Sequence, residues 1–335
     1  QALSRITVPE GYIADGIIKN KTGVAALIKQ AAEKTIFGKV TSKEAIACLP
    51  ETKTFIKLIS AGRADENLSA AVKSEIEKDI PYDLADVNYD WQTVKTGRAG
   101  KKVLIGVAPK KIADDYAAVL EAAGFFPTAL EIEATAIARS IFSFSRPAEQ
   151  TVLIVDIGAA RSSLIACAGD VILFTVSLPV SGKKYTALIA SELKLPLAKA
   201  EEAKIICGLD PESAQGIVAD VLSEMTGELI DKIKAAIKHL NTYYPEYGKI
   251  NAVYLCGGGA NLKYLEKIIP DKLNLPAKIG DPLINISLGQ KQTEKYFYET
   301  LTVPGGVSAN FVYQQNTAPI FSTAIGLALR GIKLG

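Results

Sequence analysis

The stretch "TVLIVDIGAARSSLIACAGD", residues 151–170, constrains the chain more than any other: an apolar strand breaks at a glycine, passes through small and hydroxyl residues, and resumes as a second strand. Gly158 lets the backbone turn sharply with no Cβ in the way, and Ala159 and Ala160 keep the loop lean. Successive N–H groups of such a turn can point at phosphate oxygens. Ser162 and Ser163 offer hydroxyl donors beside them, and Asp156, ending the strand, suits an outer-sphere contact to Mg²⁺, which keeps several of its waters. Alone, Asp-x-Gly at a hairpin is more often a plain turn.

At 335 residues the chain is long enough for two or more cores, so two lobes are the default expectation. Hydrophobic residues make up 48% and charged residues 22%, and the net charge of +2 provides no broad basic field for nucleic acid or an acidic membrane. No stretch approaches the ~18 unbroken apolar residues of a spanning helix, and no basic segment leads an apolar run at the N-terminus. A cytoplasmic protein is expected. The chain opens on Gln1 rather than Met and reads as a fragment or an incompletely ordered chain. Cys48, Cys167, Cys207 and Cys256 are scattered without CxxC or Cys/His spacing, which favours small buried hydrophobes over metal ligands.

Along the first half, "GVAALIKQAAEKTIFG" has helical spacing closed by Gly38, and "KEAIACLP" and "TKTFIKLIS" read as strands divided by Pro50. A helix over "ENLSAAVKSEIEKDIP", strands "VNYDWQTV" and "KKVLIGVAP" and a helix over "KKIADDYAAVLEAAG" make residues 51–127 a strand-helix-strand-strand-helix unit. "TALEIEATAIARSIF" begins extended and ends helical, and "SFSRPAEQ" is a candidate hinge. The second half begins as an antiparallel meander of three strands, the third being "VILFTVSLP". Helices follow over "KKYTALIASELK", "LAKAEEAKIICG" and the long run ending "KHLNTYY". "INAVYLCGGGANLKYLEKII" then predicts a strand, a glycine turn and a helix carrying Leu262, Leu265 and Ile268; 286–319 reads as loop-rich, and "IFSTAIGLALRGIKL" as a terminal helix.

Two further features carry chemistry. Gly257, Gly258 and Gly259 followed by Asn261 would let a ligand approach the backbone near a positive helix end, with a tight structural turn as the plainer alternative. No GxxxxGK[ST] occurs. In "AEEAK", Glu201 and Lys204 share a helix face, where they could hydrogen-bond a ribose and edge a purine or simply be solvated. His239, the only histidine, reads as a surface or packing residue and Trp91, the only tryptophan, as filling a core or a groove wall, and no Ser/His/Asp or Cys/His nucleophile is present in the pattern.

In their order, the DIG hairpin, the AExxK helix, the strand into GGG and the small-residue helix "STAIGLALRG" resemble the actin-like ATPase superfamily. Within it, "SEIEKDIPYDLADVNYDW", "VLEAAGFFPTALEIEATAIAR", "VLIVDIGAARSSL" and "YLCGGGANLKYLEKII" resemble the PilM family of cytoplasmic type IV pilus assembly proteins, related to FtsA. The resemblance implies an α/β, actin-like two-lobed fold with a small α+β subdomain inserted in the first lobe. Its parts would be 1–50 (first lobe), 51–127 (insertion), 128–150 (return and hinge), 151–315 (second lobe, with a subdomain at roughly 183–249) and 316–335 (terminal helix returning to the first lobe). It also implies ATP or ADP with Mg²⁺: Asp156 and Gly158, Ala159, Ala160, Arg161, Ser162 and Ser163 on the phosphate side, Glu201 and Lys204 at the nucleoside, and Gly257, Gly258, Gly259 and Asn261 around the adenosine. Glu133 falls where the superfamily often places a water-polarising carboxylate.

Two departures stand out. The family opens with another glycine hairpin of this kind, and none precedes "RITVPEGYIADGII"; and Arg161 occupies a place where small or hydroxyl residues are usual. As the resemblance implies, the chain is an ATP-binding scaffold with at most weak ATPase activity. It would capture the N-terminal cytoplasmic peptide of the inner-membrane protein PilN, with pilus motor ATPases as further partners and contact with the membrane only through its partner. An FtsA-like filament protein is the alternative, though "GIKLG" ends the chain with no basic amphipathic helix. A sugar kinase of the same superfamily would need a sugar pocket and a catalytic Asp.

Overall fold

The computed structural model describes residues 2–60, 68–95, 101–142, 150–169, 171–303 and 311–333. Contacts divide the chain into two compact units, Gln1–Ala136 with Leu327–Gly335, and Ile137–Gly326.

The first unit contains β1 (Ala2–Leu3), β2 (Ile13–Ala14), β3 (Ile17–Ile18), α1 (Lys21–Glu33), β4 (Phe37–Gly38), β5 (Glu44–Leu49), β6 (Phe55–Ser60), α2 (Leu68–Asp79), β7 (Val87–Lys95), β8 (Lys101–Pro109), α3 (Lys110–Ala122), β9 (Phe126–Ile132) and the start of α4 (Glu133–Ile141). Asn20 caps α1, its Oδ1 accepting the Gly23 N–H at 2.8 Å. The helix stops at Glu33 rather than running to Gly38. Thr35, Ile36 and Phe37 are branched or aromatic and favour extended backbone. They are drawn into pairing instead: β4 joins β1, and the Ile36 N–H donates to Leu3 O at 2.7 Å.

Strands β5 and β9 pair in parallel, while β6, β8 and β7 form an antiparallel sheet with β8 in the middle. Alternation on β8 places Val103, Ile105 and Val107 in one core cluster with Val72 and Ile76 of α2 and Val87 of β7. The next residue after each triplet position points the other way, and Ala108 is buried there with Leu49, Ile112 and Ala113. Burial on both faces explains the near-continuous apolar run "VLIGVA". Trp91, on β7, packs against the first of these cores and stacks on Tyr89 at 6.2 Å between ring centroids. Lys21 of α1 bridges Asp115 of α3 at 2.5 Å and holds that carboxyl below its ordinary range.

The second unit is built on a five-stranded sheet in the order β12-β11-β10-β13-β14, formed by β10 (Thr151–Ile157), β11 (Ser162–Ala168), β12 (Val171–Leu178), β13 (Ile250–Cys256) and β14 (Ala277–Ile279). The first three form the antiparallel meander expected from the sequence, and β13 then pairs with β10 in parallel, Asp156 lying beside Cys256. Every residue of β11 is buried. Helices α5 (Gly182–Leu193), α6 (Leu197–Cys207) and α7 (Ile217–Tyr243) connect β12 to β13. Leu229, Ile233, Ala236 and Leu240 form the buried stripe of α7. Its His239 is exposed, with its ring against Phe174 at 4.8 Å and Tyr243 at 4.6 Å, a packing role.

Two expectations fail in this unit. After β13 the chain forms a short 3-10 turn, Gly258–Asn261, and α8 begins only at Leu265 (Leu265–Leu273), so Leu262 lies outside it. Tyr264 has φ of +72°, which interrupts any helix that would start at the glycines. The 286–319 stretch is also not loop-rich: it carries α9 (Gln290–Phe297) and the antiparallel hairpin of β15 (Tyr298–Val303) and β16 (Phe311–Asn316). Helix α9, "QKQTEKYF", buries only Phe297 and so shows no apolar stripe to read. The chain closes with α10 (Ser322–Lys333), as its small-residue pattern predicts. Cys167, Cys207 and Cys256 are buried and Cys48 is half-buried, and no disulfide joins any of them. Among the described residues, no helix is long and apolar enough to cross a membrane.

Ile105, 2% exposed at the centre of the β8 cluster, tests the first unit's core. Ile105→Ala should destabilise the chain by about 2–5 kcal/mol, read as a lower urea midpoint.

Candidate functional site

The turn after β10 is tighter than the sequence requires. The Gly158 N–H donates to Arg161 O at 2.9 Å, and a Cβ added at Gly158 would lie 2.5 Å from that same oxygen. A valine at Gly158 would therefore break the hairpin itself. The turn's carbonyls are committed to the start of α5: Gly158 O accepts from the Gly182 N–H at 3.0 Å and Ala159 O from the Lys183 N–H at 2.8 Å. These contacts also satisfy two of the amides that open α5. By contrast, the N–H groups of Ala159 and Ala160, in exposed residues at the tip, have no partner among the described residues. Ser162 follows at 6% exposure, and its Oγ has no hydrogen-bond partner among the described residues. Donors without partners thus collect on one short loop, and an anion is the chemical class that completes them.

The glycine turn lies against the end of the same strand. A Cβ at Gly257, where φ is +72°, would sit 2.5 Å from Ile157 O and 2.8 Å from Asp156 Oδ1; one at Gly259 would sit 2.2 Å from Ile157 Cγ2. These two glycines are required for close approach of backbone to backbone. Gly258 differs, since its Cβ would make only ordinary contact, 3.7 Å from Ile320 Cγ1. The Gly257 N–H donates to Pro319 O at 3.2 Å, and Asn261 Nδ2 donates to Asn316 O at 2.7 Å, so the Asn261 amide is engaged in holding the turn to the last residue of β16.

Glu201 and Lys204 share a face of α6, as their spacing predicts, and Lys204 reaches α5. Its Nζ donates to Glu201 Oε2 at 2.6 Å, Thr186 Oγ1 at 3.0 Å and Gly182 O at 3.2 Å. An ammonium has three N–H donors. All three are thereby in use, and the side chain is only 14% exposed, so Lys204 ties α6 to Gly182, the residue that supports the turn after β10. Asp156, half-buried, Gly158–Ser163, Glu201, Lys204, Gly257–Gly259 and Asn261 all belong to the second unit. Glu133 opens α4 and belongs to the first unit. No group of three or more His, Cys, Asp or Glu among the described residues is arranged to hold a metal.

A second polar knot, not apparent in the sequence, joins the end of α6 to the exit of the glycine turn. Lys263 Nζ bridges Asp210 Oδ2 at 2.5 Å and donates to Ser213 Oγ at 3.0 Å, while the Leu209 N–H donates to Lys263 O at 2.9 Å. Asp210 also receives the Ser213 hydroxyl at 2.7 Å and the Glu212 N–H at 3.1 Å. The two residues after Ser213, Ala214 and Gln215, are both in the left-handed region, at φ of +49° and +56°. Hydrogen bonds from Lys263 and then Ser213 lower the Asp210 pKa from 3.8 to about 2.

Residues 1–332 match the family described as type IV pilus assembly protein PilM. The chain belongs to that family. The solved PilM-PilN type IV pilus biogenesis complex is similar over 99% of this chain and 91% of its own, with a TM-score of 0.78 at 23% identity. MreB 5 of Spiroplasma citri, solved bound to AMPPNP, is similar over 82% of this chain and 74% of its own, with a TM-score of 0.52 at 16% identity. The ethanolamine utilization protein EutJ from Carboxydothermus hydrogenoformans is similar over 95% and 77%, with a TM-score of 0.50 at 15% identity. The fold is therefore actin-like. The cell division protein FtsA of Borreliella burgdorferi is 24% identical over 176 residues, 46% of this chain; the match spans only 42% of that relative's length.

The Asp210 pair makes acid stability the measurement for this region. Because its folded value lies below 3.8, the pair stabilises the fold above that pH and the contribution is lost as pH falls towards about 2. In Lys263→Met the carboxyl should titrate nearer 3.8 and acid unfolding, followed by circular dichroism, should begin at higher pH. An unchanged acid limb would mean the pair contributes nothing.

Proposed function

We propose that this PilM-family chain is an ATP- or ADP-binding scaffold of type IV pilus assembly, acting on the cytoplasmic side of the inner membrane through a PilN-like partner. The observation that carries the nucleotide reading is the set of donors on the turn after β10 that have no partner among the described residues, namely the Ala159 and Ala160 amides and the buried Ser162 hydroxyl. Family membership over 1–332 supports the rest. In this reading Gly158–Ser163 receive the phosphates, Arg161 adds positive charge beside them, Glu201 faces the ribose, and Gly257–Gly259 with Asn261 border the adenosine, Gly258 being the glycine with room for an approaching ligand. Lys204 serves the nucleoside side by holding Glu201.

Magnesium would screen the phosphate charge, held mostly by phosphate oxygens and water, with Asp156 as an outer-sphere acceptor. Glu133 has a place at the first turn of α4, where a carboxylate complements the positive helix end. Its use as a water-orienting base is secondary in this proposal: the nucleotide adjusts a scaffold, and turnover is slow. The captured partner is the extended N-terminal peptide of a PilN-like inner-membrane protein, read by side-chain pockets and backbone hydrogen bonds. Pilus motor ATPases are proposed as further partners, and the parts assigned from the sequence, including the insertion at 51–127, remain the proposed organisation of the scaffold.

Removing the Ser162 hydroxyl separates ligand from fold. An unpartnered buried hydroxyl costs about 1–3 kcal/mol, so Ser162→Ala should raise the melting temperature of the ligand-free chain while weakening Mg-ATP binding about 10-fold in calorimetry. A folded wild-type chain that gives no saturable heat with Mg-ATP would overturn the nucleotide reading. Independently, a synthetic peptide copying the cytoplasmic N-terminus of a PilN should bind saturably and lose binding when its order is scrambled; equal binding of both would overturn the capture.

A further inference from the structure

We propose that Thr186 is a positioning residue that aims Glu201 at a ribose diol, making the second unit's site selective for ribonucleotides over 2′-deoxyribonucleotides. The inference rests on the nucleotide reading of the turn at 158–163. Glu201 and Lys204 alone would be an i,i+3 pair on a helix surface, weak and free to swing. Thr186, on α5, changes this. It is 7% exposed, and its hydroxyl donates to Glu201 Oε2, the same oxygen that accepts from Lys204 at 2.6 Å. A second acceptor, Gly182 O, lies 3.0 Å from Thr186 Oγ1, but that carbonyl already receives Lys204 and a carboxylate is the stronger acceptor.

One carboxylate oxygen is thus pinned from two helices while the other is left available. Glu201 Oε1 has no partner among the described residues, and the side chain is 47% exposed. An ionised carboxylate only accepts hydrogen bonds, so this oxygen favours a hydroxyl pair and repels phosphate. Its placement is referred to the phosphate-type turn through one short path. Thr186 and Gly182 are four residues apart on α5, and the Gly182 N–H holds Gly158 O at 3.0 Å. A carboxylate fixed in advance loses little side-chain freedom on binding, which is how a single acceptor can discriminate one hydroxyl.

The test compares Mg-ATP with Mg-2′-deoxy-ATP by calorimetry on wild type, Thr186→Val and Thr186→Ser, with melting temperatures recorded for each. Wild type and Thr186→Ser should bind ATP about 10-fold more tightly than deoxy-ATP. Thr186→Val, which keeps shape but loses the hydroxyl, should bring the ratio near one by weakening ATP and leaving deoxy-ATP almost unchanged. The affinity ratio is internal to each variant, so a general loss of stability does not imitate the effect. Wild type that binds both nucleotides equally, or Thr186→Val that keeps the preference, would overturn the role of Thr186 while leaving the nucleotide site standing. Absence of ATP binding by folded wild type would remove both.

Discussion

The second unit depends on how β10 is paired. Antiparallel to β11 on one side and parallel to β13 on the other, the strand is buried along nearly its whole length and delivers Asp156, Ile157 and Gly158 to one place. The parallel register then sets Cys256 beside Asp156, so the glycine turn at 257–259 emerges against Ile157. Two loops far apart in sequence become neighbours because two strands share a register. A one-residue slip of β13 would turn its buried Val253 and Leu255 to the opposite face of the sheet and carry the glycines away from Ile157.

Glycine at these positions has a geometric cause. At Gly158 a side chain would strike Arg161 O, and at Gly257 and Gly259 it would strike Ile157. The same close approach that excludes a Cβ uses up carbonyls and leaves amides at the loop tip. Lys204 then braces the arrangement from α6, and Asp210 with Lys263 ties the end of α6 to the chain leaving the glycine turn. The proposed affinity for an anion and the rigidity of the surrounding backbone therefore have a common origin. The buried Ser162 hydroxyl is the exception, a polar group placed at an energetic cost with no partner among the described residues.

Much of this was legible in the chain. The strands of the meander and β8 are legible as continuous apolar runs and the long α7 from its helical period, and the order of glycine motifs resembles the actin-like fold. Where the reading failed, local pattern was outweighed by something distant or absent. Residues 36–38 pair with β1 instead of continuing the helix; α8 starts late because of the left-handed Tyr264; α9 has only Phe297 to bury and offers no stripe. Within the site, Glu201 and Lys204 were readable as a pair, but Thr186, Gly182, Asp210 and Lys263 carry no motif.

Sequence by itself determined the periodicities, the positions where the backbone must turn without a Cβ, and the family to which the chain belongs, because these are properties of neighbouring residues and their spacing. Tertiary structure decided which polar groups are consumed and which are left for a ligand. Lys204, an open charge on a helix face in the sequence, has all three donors engaged once α5 packs against α6, whereas Glu201 keeps one oxygen available. The reason is physical: a hydrogen bond between residues 18 apart, as between Thr186 and Lys204, depends on how two helices meet, and no local pattern records it.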